Sequence, residues 1–280
     1  MKVALIGTGS MGSILIEAFL RSGALHPHNI HVSNRSAQKS ELLARRHPGI
    51  SVYSNNAESA RGSQIVFLCV KPMDFPAIIS DIKEVINEKV IVVSITSPVQ
   101  IDALERQLSA KIAKIIPSIT HSVHSGASLC IYGSRIQSED RLLLEQLMSS
   151  ISIPTIIKEH QTRIASDISS CGPAFVSFIL QQWAKSAAEL TGISEGLALK
   201  LGAEMLLGTG KLLTEGGFTP EELQKRVAVP GGVTAEGIRV LSSSLQGVFS
   251  SLIQVTHDKY DEDLNKLSIL FPIDPVDSLD

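Results

Sequence analysis

The segment Gly7-Thr8-Gly9-Ser10-Met11-Gly12 has the spacing that brings a backbone against a phosphate. It follows the apolar run Val3–Ile6 and opens an amphipathic stretch, so it reads as a strand, a tight turn and a helix start. In that context Gly7 permits the turn, Gly9 lets a pyrophosphate approach, and Gly12 lets the helix pack on the strand. Free N–H groups and the positive end of the helix dipole would then face the anion. A glycine turn without a ligand is the alternative, and the strand–turn–helix setting argues against it. The next apolar run ends in Ser33-Asn34-Arg35-Ser36. Dinucleotide folds that prefer NAD carry Asp or Glu here, roughly 20 residues past the loop, to bind a ribose 2′-hydroxyl. Arg35 would instead attract a 2′-phosphate, with Ser33, Asn34 and Ser36 as hydrogen-bond donors, which favours NADP(H). Read alone, Arg35 is also compatible with an exposed helix start. Val70-Lys71-Pro72 closes another apolar run, where a sheet of this kind lines its ligand groove, although Lys71 by itself fits plain surface equally well. Asn56 is a further candidate for the cofactor groove.

The elements that must hold these residues alternate. Apolar runs at Val3–Ile6, Ile30–Ser33, Ile65–Val70, Val90–Ile95, Ile112–Ile116 and Ser128–Tyr132 are apolar nearly throughout, as strands buried on both faces should be. Helical patterns lie between them near 11–22, 36–47, 74–86 and 98–108. This predicts an α/β Rossmann-type, doubly wound parallel sheet. A last apolar patch, Ile151–Ile157, closes it. Beyond Glu159 the pattern turns helical, with Phe175, Phe178, Ile179, Trp183 and Ala187 along one face. Further helices are expected at about 194–215, 219–227, 232–244 and 246–266. The expected organisation is an NADP-binding domain over 1–157, an all-helical C-terminal domain over 158–270 for substrate and dimerisation, and a loose tail over 271–280.

Composition narrows the classes. The chain has 280 residues, 44% of them hydrophobic, and a formal net charge of −3. A packed globule follows, with no electrostatic footprint for nucleic acid. The N-terminal apolar run is too short for a signal peptide, and no stretch approaches the roughly 18 apolar residues of a membrane span. Cys69, Cys130 and Cys171 are odd in number and widely spaced, so neither a disulfide framework nor a metal site is expected, and a cytoplasmic location is.

Two loops stand out in the second half. Ser169-Ser170-Cys171-Gly172-Pro173 reads as a turn before a helix, with Pro173 at its start. Pro230-Gly231-Gly232-Val233-Thr234 again puts glycines before a helix, where N–H groups could hold an anion, although the loop alone fits an ordinary connection better. Together with Gly7–Gly12, Asn34-Arg35, Val70-Lys71-Pro72 and Gly172-Pro173-Ala174-Phe175, this order and spacing resembles the pyrroline-5-carboxylate reductase family over roughly residues 1 to 266. Ser94–Gln100, Ile116–Thr120 and Ser169–Pro173 are similar, more narrowly, to a late competence branch of that family. The resemblance implies NADPH-dependent hydride transfer to a cyclic imine, 1-pyrroline-5-carboxylate or a relative, giving L-proline or its counterpart. It implies that the amides of Gly231, Gly232 and Val233 hold the carboxylate of the imino acid substrate. It also implies that Thr234 approaches the imine nitrogen, with Cys171 on the substrate side. It further implies a homodimer or higher homo-oligomer.

The catalytic half departs from the family pattern. Ser118 stands where the family has asparagine, Ser170 replaces a glycine and Cys171 a serine. Ala228 and Val229 precede the glycine loop in place of serines. Each change removes or alters a polar contact. A second hypothesis is therefore an NADP(H)-binding relative with weak or absent catalysis and a regulatory, competence-associated role. A β-hydroxyacid dehydrogenase ranks last, because Lys185 is followed by Ser186-Ala187-Ala188 rather than by paired asparagines. His121 and His124 are expected on the surface. Glu204 is compatible with a buried contact or an exposed face. The acidic residues Asp258, Asp261, Glu262 and Asp263 read as solvated.

Overall fold

The computed structural model describes residues 1–270; the tail Phe271–Asp280, expected to be loose, lies outside them. The first half interleaves β1 (Val3–Ile6), α1 (Ser10–Arg21), β2 (Ile30–Ser33), α2 (Ala37–Arg46), β3 (Ser51–Tyr53), α3 (Asn56–Ala60), β4 (Ile65–Leu68) and α4 (Phe75–Ile82). It continues with β5 (Ile91–Ser94), α5 (Ile101–Gln107), β6 (Lys111–Ile116), β7 (Ala127–Tyr132), α6 (Ser138–Ser149) and β8 (Ile153–Ile156). The strands form one sheet in the order β3-β2-β1-β4-β5-β6-β7-β8. All neighbours pair in parallel except β6 with β7, where Ala113 faces Tyr132. The order reverses at β1, which pairs Val3 with Ile30 on one side and with Ile65 on the other.

Alternate strand residues feed opposite faces. Val3, Leu5 and Phe67 join Leu15 and Phe19 of α1 in one core, with the Phe19 and Phe67 rings 6.0 Å apart. Ala4, Ile6, Val66 and Leu68 join Phe75 and Ile79 of α4 and Leu104 of α5 in the other. Helices on both faces explain why these strands are apolar at every position. The sequence pattern did not reveal β3, α3 or α6. β3 has only three residues and no apolar run. α3 is a single short turn, started by Asn55, whose side chain accepts the Glu58 N–H at 2.8 Å. α6 buries Leu144, Leu147 and Met148 only toward its end, which blurs its periodicity.

The chain then becomes helical: α7 (Thr162–Ser166), α8 (Gly172–Thr191), α9 (Glu195–Thr214), α10 (Pro220–Val227), α11 (Val233–Ser244) and α12 (Val248–Leu270). The expected turn over Ser169–Pro173 is instead a π-helical turn, Asp167–Cys171, that runs directly into α8. Pro173 cannot donate a backbone bond, and a widened turn just before it is where a helical ladder can lose one.

Two compact units result. Among the described residues, one comprises Met1–Cys171 with the chain from Thr256 to Leu270, and the other Gly172–Val255. The division by compactness therefore falls later than the boundary at 157/158, where the last strand gives way to helices. Within the second unit, α8 and α9 approach closely, because a Cβ on Gly202 would meet the side chain of Leu180. A reciprocal cap starts α10, with Thr219 N–H donating to Glu222 at 2.9 Å and Glu222 N–H to the Thr219 hydroxyl at 3.2 Å.

The end of α12 belongs to the first unit. Leu267 is buried among Val99, Ile101 and Leu104. The Thr256 hydroxyl donates to Asp167 at 2.6 Å, and the Tyr260 hydroxyl donates to the Ser97 carbonyl at 3.2 Å. That carbonyl also accepts from Lys114, whose side chain is fully buried in β6 and pairs with Glu159 at 2.6 Å. Burial pushes the Lys114 ammonium below the usual lysine range, and Glu159 opposes that shift.

Candidate functional site

A cleft of about 540 Å³ opens at the carboxyl ends of β1, β2 and β4, where the strand order reverses. This is where open α/β sheets bind ligands. Gly7 has φ +100°, and a Cβ there would strike the Cys69 carbonyl. A Cβ on Gly12 would strike the Gly7 carbonyl, so only glycine lets α1 sit this close. A Cβ on Gly9 would meet no heavy atom within 4 Å. The chain thus needs two of the three glycines for its own packing, and leaves open space at the third. In the first turn of α1 the N–H groups of Ser10, Met11 and Gly12 have no carbonyl one turn back. Open space beside unengaged amides at the start of a helix fits a pyrophosphate.

The neighbouring turn is tied to the loop. Gly7 N–H donates to the Ser33 carbonyl at 2.8 Å, and Thr8 N–H to the Asn34 side-chain oxygen at 3.1 Å. The Thr8 side chain turns inward toward Ser40, 3.4 Å away. Thr8, expected among the phosphate contacts, therefore acts by holding Asn34. Ser33 differs from expectation too. It is 1% exposed, and its hydroxyl donates to Asn56 at 2.8 Å beside Ser59. Asn56 donates in turn to Asp81 at 2.8 Å and lines the cleft. Arg35 lies at the rim with its side chain 92% exposed and its guanidinium 3.9 Å from Asp74. Asn34, Ser36, Val70 and Lys71 line the same cleft, and Pro72 opens the short turn that carries Asp74. Lys39 lines it as well and was not foreseen. Its signal was its place one helical turn beyond Arg35.

Farther along the sheet, Ser118 follows β6. Its hydroxyl donates to the Ser169 carbonyl at 3.1 Å, while the Ser170 hydroxyl donates to the Pro117 carbonyl at 3.0 Å. The Cys171 thiol accepts from Arg163 at 3.3 Å, and Arg163 pairs with Asp167 at 2.6 Å. His121, expected on the surface, is fully buried. The Ser118 N–H points at its Nδ1 at 3.5 Å, and its Nε2 lies 3.3 Å from the Ala127 carbonyl. Burial lowers its pKa below the ordinary 6.5. His124, exposed as expected, ends that turn in the left-handed region at φ 52°.

On the second unit, Gly231 has φ +73°, and Gly232 caps α11. The Gly232 N–H is engaged by the Val229 carbonyl at 3.0 Å, so of the amides implied for a carboxylate this one is committed within the loop. Val233, 91% exposed, and Thr234 stand in the first turn of α11, and their own N–H groups have no carbonyl one turn back, whereas the Ala235 N–H donates to the Gly232 carbonyl at 3.1 Å. Thr234 also borders an apolar hollow of about 330 Å³ with Leu213, Leu223, Val227 and Ile238. Glu204 lies on an exposed face of α9. Phe178 and Trp183 of α8 are 62% and 63% exposed in the single chain. Among the described residues no helix is long and apolar enough to cross a membrane.

Comparison with known proteins agrees with this geometry. The family model described as pyrroline-5-carboxylate reductase dimerisation matches residues 159–263, and that described as NADP oxidoreductase coenzyme F420-dependent matches residues 2–98. ComE operon protein 4 of Bacillus subtilis (strain 168) is 38% identical over 273 residues, covering 98% of this chain and 100% of the relative. Pyrroline-5-carboxylate reductase 2 of Rattus norvegicus is 33% identical over 258 residues, 90% of this chain and 79% of the relative. The solved structure of a pyrroline-5-carboxylate reductase from Coxiella burnetii superposes with a TM-score of 0.85 at 25% identity, covering 94% of this chain and 98% of that one. With its sheet order, its glycine cradle and relatives that span nearly its whole length, the chain belongs to the pyrroline-5-carboxylate reductase family of NADP-dependent oxidoreductases.

Proposed function

We propose that this chain reduces a cyclic imino acid, 1-pyrroline-5-carboxylate or a close analogue, with NADPH. The observation that carries the reading is the cradle itself: open space at Gly9, beside unengaged helix amides, with a cation rather than a carboxylate at the end of β2. Family membership supports the imine. When bound, the coenzyme supplies a hydride to the imine carbon. The chain's own residues do the rest. Ser10, Met11 and Gly12 present amides to the pyrophosphate, and Arg35, Asn34 and Ser36 meet the 2′-phosphate. Val70, Lys71 and Pro72 wall the groove. Gly231 and Val233 offer amides to the substrate carboxylate, and the Thr234 hydroxyl donates a hydrogen bond to the imine nitrogen, which takes a proton from the surrounding water as the carbon gains hydride. Cys171 borders the substrate side.

Residues 1–157 then serve the coenzyme, and 158–270 serve the substrate and self-association. The exposed Phe178 and Trp183 support a homo-oligomer, because large aromatic side chains left open on a helix face mark interaction surfaces. We place the chain in the cytoplasm, a reading supported by three cysteines that are free thiols.

A second reading, coenzyme binding without turnover, is favoured by one observation. The Ser118 hydroxyl, at the family's asparagine position, is turned to the Ser169 carbonyl and is not free to meet a ligand. One assay separates the two. Purified protein is mixed with NADPH and 1-pyrroline-5-carboxylate while the absorbance of the reduced nicotinamide is followed. Turnover of order 1 per second or faster supports the reductase, whereas calorimetric binding of NADPH without turnover supports the second reading.

A further inference from the structure

We infer that Lys39 and Asp74 set the coenzyme selectivity of the cleft from opposite sides, Lys39 by attracting the 2′-phosphate beside Arg35 and Asp74 by opposing it. The inference rests on the coenzyme reading above and deepens it.

α2 begins at Ala37, with Lys39 in its first turn, Arg35 just ahead of it, and no acidic residue in that turn. Cations at the N-terminal end of a helix face the positive end of its dipole and are disfavoured there. Both side chains are exposed, so packing does not explain them. Both line the same cleft as Gly7 and Gly9. An anion in that cleft turns this arrangement from a cost into a gain. Arg35 offers a planar fork of donors, and Lys39 adds a point charge one helical turn away.

Two acids line the same cleft. Asp81 is held at the wall by the Asn56 amide at 2.8 Å, and Asn56 is fixed in turn by the Ser33 hydroxyl. Asp74 is different. It sits at the rim, 41% exposed, with its carboxylate 3.9 Å from the Arg35 guanidinium. Two roles are open to a carboxylate so placed: it can hold Arg35 ready, or it can repel the anion that Arg35 meets. An ion pair this long, with a 92% exposed partner, restrains Arg35 very little. Repulsion of a dianion that reaches the same guanidinium is the larger effect. Screened by water and salt at a spacing of several ångströms, it amounts to about threefold in affinity. An NADH molecule carries no charge at that position and does not feel it.

The test is calorimetric titration of the full chain with NADPH, with NADH and with adenosine 2′,5′-bisphosphate, at low and high sodium chloride. For Asp74→Asn the expected result is NADPH and the bisphosphate bound about threefold more tightly, NADH unchanged, and a gain that shrinks as salt rises. For Lys39→Gln the expected result is NADPH weakened about tenfold, with NADH unchanged. If Asp74→Asn weakens NADPH, Asp74 works by holding Arg35 and the proposal falls. If either substitution shifts NADPH and NADH equally, the selectivity role falls while the coenzyme reading stands. If the unaltered chain binds neither dinucleotide, the coenzyme reading fails and takes this inference with it.

Discussion

Gly9→Ala should separate folding from coenzyme binding. A methyl group at Gly9 meets no heavy atom within 4 Å, and its φ of −71° is open to any residue. Its one structural cost is as the N-cap of α1, where alanine is poorer than glycine by up to about 1 kcal/mol. Stability should therefore barely change. Binding should not survive so well, because the methyl stands in the space through which a pyrophosphate approaches the amides of Ser10 and Met11. Weakening two charge-assisted hydrogen bonds, at about 1.5 kcal/mol or more each, amounts to roughly 3 kcal/mol, or about a hundredfold in dissociation constant. Gly12→Ala is the contrasting change, since its Cβ would overlap the Gly7 carbonyl and push α1 off the sheet. It should unfold the unit or lower its melting temperature severely. Thermal melting and calorimetry with NADPH on both variants check the pair. Were Gly9→Ala to bind NADPH within threefold of the unaltered chain, the cradle would have no phosphate to hold, and the argument from open space would be refuted.

Three further outcomes are expected. Lys114→Met leaves Glu159 without its cation and the Ser97 carbonyl without one of its two donors; with Glu159 still 28% exposed, the loss is about 2–3 kcal/mol, a fall of roughly 4–10 °C in melting temperature. Adding Glu159→Leu should recover only part of it, because Glu159 also accepts the Ile101 N–H at 3.0 Å, and a Lys114→Met variant that melts unchanged would show the buried pair to be idle. For His121 and His31 burial holds the folded-state pKa below 6.5, so their contribution to stability is present above pH 6.5 and is lost as pH falls through the lowered values. Urea unfolding at pH 7, 6 and 5 should show falling stability, with a shallower fall in His121→Asn; an equal slope in both would remove His121 from the account. Thr234→Val should cut turnover tenfold or more while leaving NADPH affinity intact, and unchanged steady-state rates would rule out its role at the imine nitrogen.

The sheet and its cleft were legible because both follow from local pattern. Runs such as Val3–Ile6 and Ile65–Leu68 are apolar at every position only where helices cover both faces, and a glycine loop after the first of them has one place in such a sheet. What was not legible depended on which way a side chain turns. Ser33 and Thr8 have the composition of phosphate ligands, yet both point inward, toward partners 23 or more residues away in the chain. His121 looks like a loop histidine until β7 supplies the Ala127 carbonyl. The turn expected at Ser169 followed from proline and glycine chemistry, and it missed that a helix can pass such residues by widening. The boundary at 157/158 tracked the end of strand composition, whereas compactness also reflects the return of α12, which local pattern does not carry.

That return makes the second unit, topologically, a cassette. The chain leaves the first unit after Cys171 and rejoins it at Thr256, and Asp167 and Thr256 touch across the junction at 2.6 Å. Entry and exit points are thus nearly adjacent. Excising Gly172–Val255 and splicing the stubs with a few flexible residues would keep the sheet, its glycine cradle and the Leu267 plug in one polypeptide. Inserts hung between neighbouring points in this way can be exchanged or lengthened without redrawing the host sheet. The same architecture lets change accumulate around Val229 and Thr234 while the coenzyme cleft, built at the strand ends of the first unit, stays as it is.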